Sequence, residues 1–318
     1  MTPHRSSKPR LILLMGPTGA GKTSMALKLA LRFGGEIVSA DSMQVYRGMD
    51  IGTAKPTVLE QAIVHHHLLD VVTPDETFDV SRYCALAREA IVGLTRKGSR
   101  IFVVGGTGLY LRALVGGLIQ GPGADEGLRQ DLKDEIRHLG TTALYERLRT
   151  QDPLAAAQIH PRDGIRIVRA LEVLTLTGRS IVSYQQAHRF AERPYEVLKI
   201  GLMPPKEKLW EAIDARIESM IDRGLVEEVG GLLAKGYEGS LKAMQALGYR
   251  HMVAYLAGKV SLPEAVRSLK RDTRRYAKRQ LTWFTAEEGI SWLDPGDEAG
   301  GEALTDRFLA SDPNPQGT

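Results

Sequence analysis

Over roughly the first 120 residues, short apolar runs alternate with amphipathic helical patterns. Leu11–Met15, Glu36–Ser39 and Ile101–Val104 read as buried strands, each flanked by glycine or polar residues. Between them, Lys22–Phe33 and Val80–Arg96 read as helices. This alternation predicts an α/β fold with a parallel sheet covered on both faces. The glycine-rich stretch Gly116–Gly123 marks a boundary. From Asp125 to about His188 the pattern is helical, and a further strand appears at Val197–Met203. The chain therefore divides into a core of residues 1–120 and 196–318 and a helical insertion of residues 121–195. Later helices are expected at Leu209–Asp222, Leu225–Ala234, Tyr249–Leu256 and Pro263–Phe284. The Gly-, Pro-, Asp- and Asn-containing tail beyond Asp294 is expected to be disordered.

The first strand runs into Gly16-Pro17-Thr18-Gly19-Ala20-Gly21-Lys22-Thr23, which fits the phosphate-loop pattern at every fixed position. Glycines let the backbone curl so that N–H groups face an anion, and the next helix presents its positive end to the same anion. Lys22 adds a positive charge, and the Thr23 hydroxyl is a ligand for Mg²⁺. The sheet becomes a P-loop NTPase-like core, although the motif specifies phosphate binding and not a reaction. Functional groups in such sheets sit at the carboxyl ends of strands. Asp41, after the second strand, can hold a Mg²⁺-bound water, accept a proton from a nucleophile, or cap a helix. Thr107, in Gly105-Gly106-Thr107-Gly108, offers a hydroxyl at the same rim or a tight turn before a helix.

Composition narrows the classes. The 318 residues are 43% hydrophobic and 25% charged, as in a globular protein, and no apolar run reaches the roughly 18 residues of a membrane span. The apolar stretch after the basic start is too short for a signal peptide, and the lone Cys84 excludes an internal disulfide, so a cytoplasmic setting is expected. A net charge of +4 says little until its distribution is read. Arg267, Lys270, Arg271, Arg274, Arg275, Lys278 and Arg279 recur at helical spacing with only Asp272 opposing, a stripe suited to RNA phosphates. Val266, Leu269, Thr273, Tyr276, Ala277 and Leu281 fall on the inward side. His65-His66-His67 reads as structural, because neighbours on an extended segment point to opposite faces.

Taken together, GPTGAGKT (16–23), SADSMQVYRGMDIGTAKP (39–56), HHLLD (66–70), VGGTGLYLRAL (104–114), DPLAAAQIHPRDGIRIVRALEV (152–173), GYRHM (248–252) and RRYAKRQLTWF (274–284) resemble the tRNA dimethylallyltransferases, or tRNA isopentenyltransferases. The resemblance runs from about Leu11 to Leu293. It implies transfer of a dimethylallyl group from dimethylallyl diphosphate to N6 of the adenosine 3′-adjacent to the anticodon, releasing diphosphate. It implies that Gly16 to Thr23 hold that diphosphate rather than ATP, with Lys22 and Mg²⁺ near Thr23 meeting the leaving group, and that Asp41 is the general base. Arg216 is carried over as the second of two family arginines; the first position holds Ala212 here. For tRNA, the resemblance points to Asp41, Ser42, Met43, Gln44, Thr107, Arg129, the segment Ile165, Arg166, Ile167, Val168 and Arg169, and to Gly248, Tyr249 and Arg250. Arg166 and Arg169 share a helix face that either meets the anticodon backbone or is solvated, and Tyr249 either stacks on a base or packs in the core. Arg274 and Lys278 represent the basic stripe. The expected partner is a tRNA anticodon stem-loop with its target adenosine splayed out, bound by a monomer. The competing readings are a P-loop kinase or isopentenyltransferase acting on free adenine nucleotide, and a non-catalytic RNA-binding nucleotide switch. Neither free-nucleotide enzyme has a use for the basic helix.

Overall fold

The computed structural model describes residues 8–118, 121–188 and 192–311. Six strands form one wholly parallel sheet in the order β3-β2-β4-β1-β5-β6. They are β1 (Arg10–Met15), β2 (Gly35–Ser39), β3 (His66–His67), β4 (Arg100–Gly105), β5 (Glu196–Leu202) and β6 (Ile290–Leu293). The central β1 reads Leu-Ile-Leu-Leu-Met because it is buried on both faces, as interior parallel strands are. The two edge strands, β3 and β6, carry no comparable apolar run, and the hydrophobic pattern does not predict them.

The helices of the first half are α1 (Lys22–Phe33), α2 (Val58–Ile63), α3 (Val80–Lys97) and α4 (Gly108–Gly116). Next come α5 (Glu126–Leu139), α6 (Thr141–Gln151), α7 (Pro153–Ala156), α8 (Gly164–Thr177) and α9 (Ile181–His188). After β5 follow α10 (Lys206–Asp222), α11 (Leu225–Ala234), α12 (Tyr249–Leu256), α13 (Leu262–Thr285) and α14 (Glu298–Ala310). The described residues fall into two compact units. One comprises the chain up to Val115 and again from Arg193, and the other is Gly116–Glu192. The smaller unit has its own core of Leu132, Leu144, Leu148, Ile167, Val168 and Leu171. In the larger, Ile12, Leu14, Met25, Leu29, Phe102 and Leu202 pack around the phosphate loop's strand and helix.

The expected disorder after Asp294 is corrected by α14. Asp297 caps it by accepting from the Gly300 N–H at 2.9 Å. Its Leu304, Phe308 and Leu309 pack on the core, and the Arg10 guanidinium lies 4.2 Å over the Phe308 ring. The turn residues of the tail supply that cap, and the amphipathic stretch behind them pairs Glu302 with Arg32 on α1 at 3.3 Å. Only residues 312–318 of the tail lie outside the described residues. Cys84 is buried, which pushes its thiol up to about 11. No described helix is long and apolar enough to cross a membrane.

Candidate active site

The phosphate loop links β1 to α1. Gly21 stands at the helix N-cap with φ +77°, a left-handed conformation that favours glycine there. Lys22 donates to the Pro17 carbonyl of its own loop at 2.8 Å. Burial brings its ammonium down to about 8; Arg216 adds to that fall and Asp41 opposes it. Burial also lowers Arg216, again against Asp41. Two cations and one carboxylate thus share one electrostatic environment.

The loop is braced from the far end of the chain. Gln280, 7% exposed on α13, accepts from the Thr18 N–H at 2.9 Å and donates to the Gly106 carbonyl at 2.9 Å. This bridge gives the glycines after β4 a purpose. A Cβ on Gly106 would meet Gln280 Nε2 at 2.3 Å, and one on Gly105 would meet the Ala40 carbonyl oxygen at 2.1 Å. Sequence reasoning missed Gln280, because a glutamine inside a basic run gives no sign that it turns inward.

Asp41 follows β2 and does not cap a regular helix. Its Oδ1 accepts from the Met43 N–H at 2.8 Å and the Gln44 N–H at 3.3 Å, forming an Asx turn. The described hydrogen bonds of Asp41 use Oδ1, which leaves Oδ2 for a ligand. Thr107 Oγ1 accepts from the Ser42 N–H at 3.1 Å, while its carbonyl begins α4 by accepting from the Tyr110 N–H at 2.9 Å. Thr107 therefore serves both the rim and the turn. The Gln44 amide lies within the loop, accepting from Ser39 Oγ at 3.0 Å and donating to the Ala54 carbonyl at 3.2 Å.

The rest of SADSMQVYRGMDIGTAKP is held by two side chains. Lys55, 3% exposed, donates to the Tyr46 carbonyl at 2.9 Å and reaches the Asp50 and Asp70 carboxylates at 2.5 and 2.6 Å. Glu228 on α11 accepts the backbone N–H groups of Asp50, Ile51 and Gly52 at 2.9, 2.7 and 3.1 Å, and the Tyr249 hydroxyl at 2.6 Å. Glu228→Ala strands these donors. It is expected to cost about 2 kcal/mol of unfolding free energy, measured in urea, with a matching loss in kcat/KM. Unchanged stability would remove Glu228 from the architecture of the site.

These elements enclose a cavity of about 350 Å³. Thr18, Lys22, Thr23, Asp41, Ser42, Met43 and Gln44 line it together with Arg216, Gly248, Arg250, Tyr276 and Arg279. Ile213, Ile217, Met220 and Leu269 give it an apolar wall. One cavity therefore brings together the cations Lys22 and Arg216, the carboxylate residue Asp41 and apolar surface; of the phosphate loop, Thr18, Lys22 and Thr23 line it, whereas Gly16, Pro17, Gly19, Ala20 and Gly21 do not. Ala212 does not line it and is exposed.

The model of the family described as IPP transferase matches residues 44–287, and that described as isopentenyl transferase matches 9–72. The chain belongs to the IPP transferase family. It is 55% identical over 302 residues to tRNA dimethylallyltransferase 2 of Syntrophus aciditrophicus, covering 95% of this chain and 97% of that one. Among solved structures, it is similar to the full-length tRNA isopentenylpyrophosphate transferase of Bacillus halodurans, with 40% identity, a TM-score of 0.70, and coverage of 95% and 96%. It is also similar to a eukaryotic dimethylallyltransferase acting on tRNA, with 27% identity, a TM-score of 0.79, and coverage of 96% and 81%.

Several residues expected at a tRNA surface in this IPP transferase lie elsewhere. Tyr249 is fully buried with its hydroxyl on Glu228, so it packs in the core and cannot stack on a base. Ile167 and Val168 are 0% and 6% exposed in the core of the helical unit, so their side chains are removed from any RNA surface, whereas Ile165 is 86% exposed. Arg169 and Arg129 both grip the buried Glu172, at 2.5 and 2.8 Å. Arg166 pairs more loosely with Asp163 at 3.4 Å and keeps a largely exposed side chain.

On α13 the basic stripe is thinner than its sequence. Lys270 pairs with Glu218 at 2.6 Å and Arg274 pairs with Asp214, both on α10. Asp272 gathers Arg250, Arg271 and Arg275; burial pushes its pKa up, but the hydrogen bonds of Arg250, Arg271 and His251 prevail and hold it down at about 2. Exposed cations remain at Arg267, Arg271, Arg275, Lys278 and Arg279. The Lys278 ammonium lies 5.8 Å from the Trp210 ring. Gly248, with φ +90°, starts α12 and lines the cavity beside Arg250.

Proposed function

We propose that this IPP transferase moves the dimethylallyl group of dimethylallyl diphosphate onto N6 of the adenosine 3′-adjacent to the anticodon of tRNA, releasing diphosphate. The observation that carries the reading is Asp41: one carboxylate oxygen is fixed by two backbone N–H groups, and the residue lines the same cavity as Lys22 and Arg216. A polyphosphate site used for hydrolysis needs a positioned water; a site used for alkyl transfer needs a base facing the far side of the allylic carbon.

The loop N–H groups, Lys22 and Arg216 bind the diphosphate and stabilise the charge it gains as the C–O bond breaks. The apolar wall of Ile213, Ile217, Met220 and Leu269 suits the isoprenoid tail. The exocyclic amine of adenine is a weak nucleophile, because its lone pair is delocalised into the ring. Asp41 Oδ2 accepts its hydrogen bond, orients it, and takes its proton as the N–C bond forms. An oxygen donor set of the Thr23 hydroxyl and a diphosphate fits Mg²⁺. When bound, that ion would neutralise leaving-group charge beside Thr23.

The relatives' names speak of dimethylallyl transfer to tRNA, and the exposed cations of α13 suit an RNA backbone. The Arg275→Ala, Lys278→Ala double variant should bind tRNA more weakly and flatten its log–log salt dependence by about 1.5. An unchanged slope would take α13 out of the RNA surface. Incubation with unmodified tRNA and labelled dimethylallyl diphosphate, with labelled ATP in parallel, tests the reaction. Label enters tRNA from the first and not from the second; phosphate transfer from ATP, or alkylation of free AMP in preference to tRNA, would support the kinase or free-nucleotide readings instead.

A further inference from the structure

The three consecutive histidines are arranged differently from the sequence expectation. Adjacent members do point apart: His66 is buried, with Nδ1 2.7 Å from the Val64 carbonyl. His65 and His67, however, are two residues apart, and the parallel register pairs Val38 with His67 and Ile37 with His66. Because faces alternate along a strand and registered partners share a face, Glu36, His65 and His67 all project from the same side of the β2–β3 edge. One ligand atom from each lies within 4.8 Å of the other two. The His65 and His67 rings meet edge to face, with centroids 4.5 Å apart.

The carboxylate is already oriented. Glu36 Oε2 lies 2.8 Å from His67 Nε2, while Oε1 accepts from Ser99 Oγ at 3.2 Å and has the Lys97 ammonium 4.0 Å away. Oε2 therefore faces the histidines, and the opposite oxygen is held from behind by a hydroxyl, the arrangement that outer partners give to metal-ligating carboxylates. Ile37 and His66 line the catalytic cavity from the opposite face of this edge, whereas Glu36, His65 and His67 do not line it, so the cluster lies across the sheet edge from the cavity.

We propose that Glu36, His65 and His67 form a binding site for a borderline first-row divalent metal ion such as Zn²⁺. Two imidazoles and one carboxylate match that ion's preference, with exposed His65 leaving the fourth position to water. Hard ions such as Mg²⁺ favour all-oxygen sites and do not compete here. The ion would replace the direct His67–Glu36 contact and clip β3 to β2. β3 has only two residues, and it leads through Leu68 and Asp70, both at positive φ, to the carboxylate that holds Lys55. The site therefore steadies the strand that anchors the loop after Asp41.

The test uses the full chain without a histidine tag, stripped by chelator. Zn²⁺ is titrated by calorimetry and Co²⁺ by visible absorption, in the presence of excess Mg²⁺. One equivalent should bind, with d–d bands of a nitrogen- and oxygen-ligated Co²⁺ and a raised melting temperature. His65→Ala, at an exposed position, should lower affinity by at least about 100-fold, and Ser99→Ala by about tenfold. Dimethylallyl transfer by His65→Ala under saturating Mg²⁺ should match that of the unaltered chain, which separates this site from the reaction. Absence of stoichiometric binding would overturn the proposal, as would an affinity unchanged from that of the unaltered chain in the His65→Ala and His67→Ala variants.

Discussion

Asp41→Asn lowers kcat by about 10²- to 10⁴-fold while leaving KM for dimethylallyl diphosphate close to its original value. The substitution isolates the chemistry. The asparagine carbonyl can still accept from the Met43 and Gln44 N–H groups that Asp41 Oδ1 accepts from, so the Asx turn survives. What is lost is the basicity of the oxygen facing the cavity. The negative charge that opposes the fall of Lys22 is lost as well. The same variant should therefore shift the alkaline limb of its pH profile to lower pH. Steady-state kinetics across pH read both effects. A kcat within a few-fold of the original would remove Asp41 as the base.

Lys22→Ala is expected to reduce kcat/KM by about 10²- to 10³-fold, because the departing diphosphate loses a preorganised cation. The unaltered chain carries a related signature. Lys22 sits at about 8 in the folded protein. Below that pH the ammonium is charged and the diphosphate site complete; above it the free enzyme loses the charge. The profile of kcat/KM should then fall tenfold for each unit above about pH 8, since that ratio reports the free enzyme. The profile of kcat should fall later, because bound diphosphate holds the proton on the amine. A level kcat/KM up to about pH 10 would mean that the lysine keeps its ordinary basicity and that its burial has little electrostatic effect.

The parts of the site that the sequence discloses are those written in local chemistry. The phosphate loop is visible because glycine spacing and the lysine encode a backbone shape, and α1 spans Lys22–Phe33 as its periodicity predicts. Asp41 and Thr107 are visible because strand ends locate function in open parallel sheets. Long-range partners are not visible. Gln280 lies 262 residues from Thr18, and Glu228 lies 178 residues from Asp50; only the fold makes each a neighbour. The same limit explains the surplus in the tRNA surface. An arginine reads alike whether it faces solvent or, like Arg169 and Arg129, is committed to a buried glutamate. Tyr249 stands beside the exposed Arg250 and Val168 two residues from the exposed Arg166, but helical rotation turns both into the core. α14 was hidden for the opposite reason, since its capping residues resemble those of a loop.

On the reading proposed above, the phosphate loop holds an isoprenoid diphosphate whose alkyl group goes to an adenine amine. The most direct measurement is mass spectrometry of nucleosides from unmodified tRNA after incubation with the chain, Mg²⁺ and dimethylallyl diphosphate. Adenosine carrying one dimethylallyl group at N6 is expected, confined to the position 3′ of the anticodon and formed at least about 100-fold more slowly when Asp41→Asn replaces the unaltered chain. Unmodified nucleosides, or a dimethylallyl group on free nucleotide alone, would contradict it.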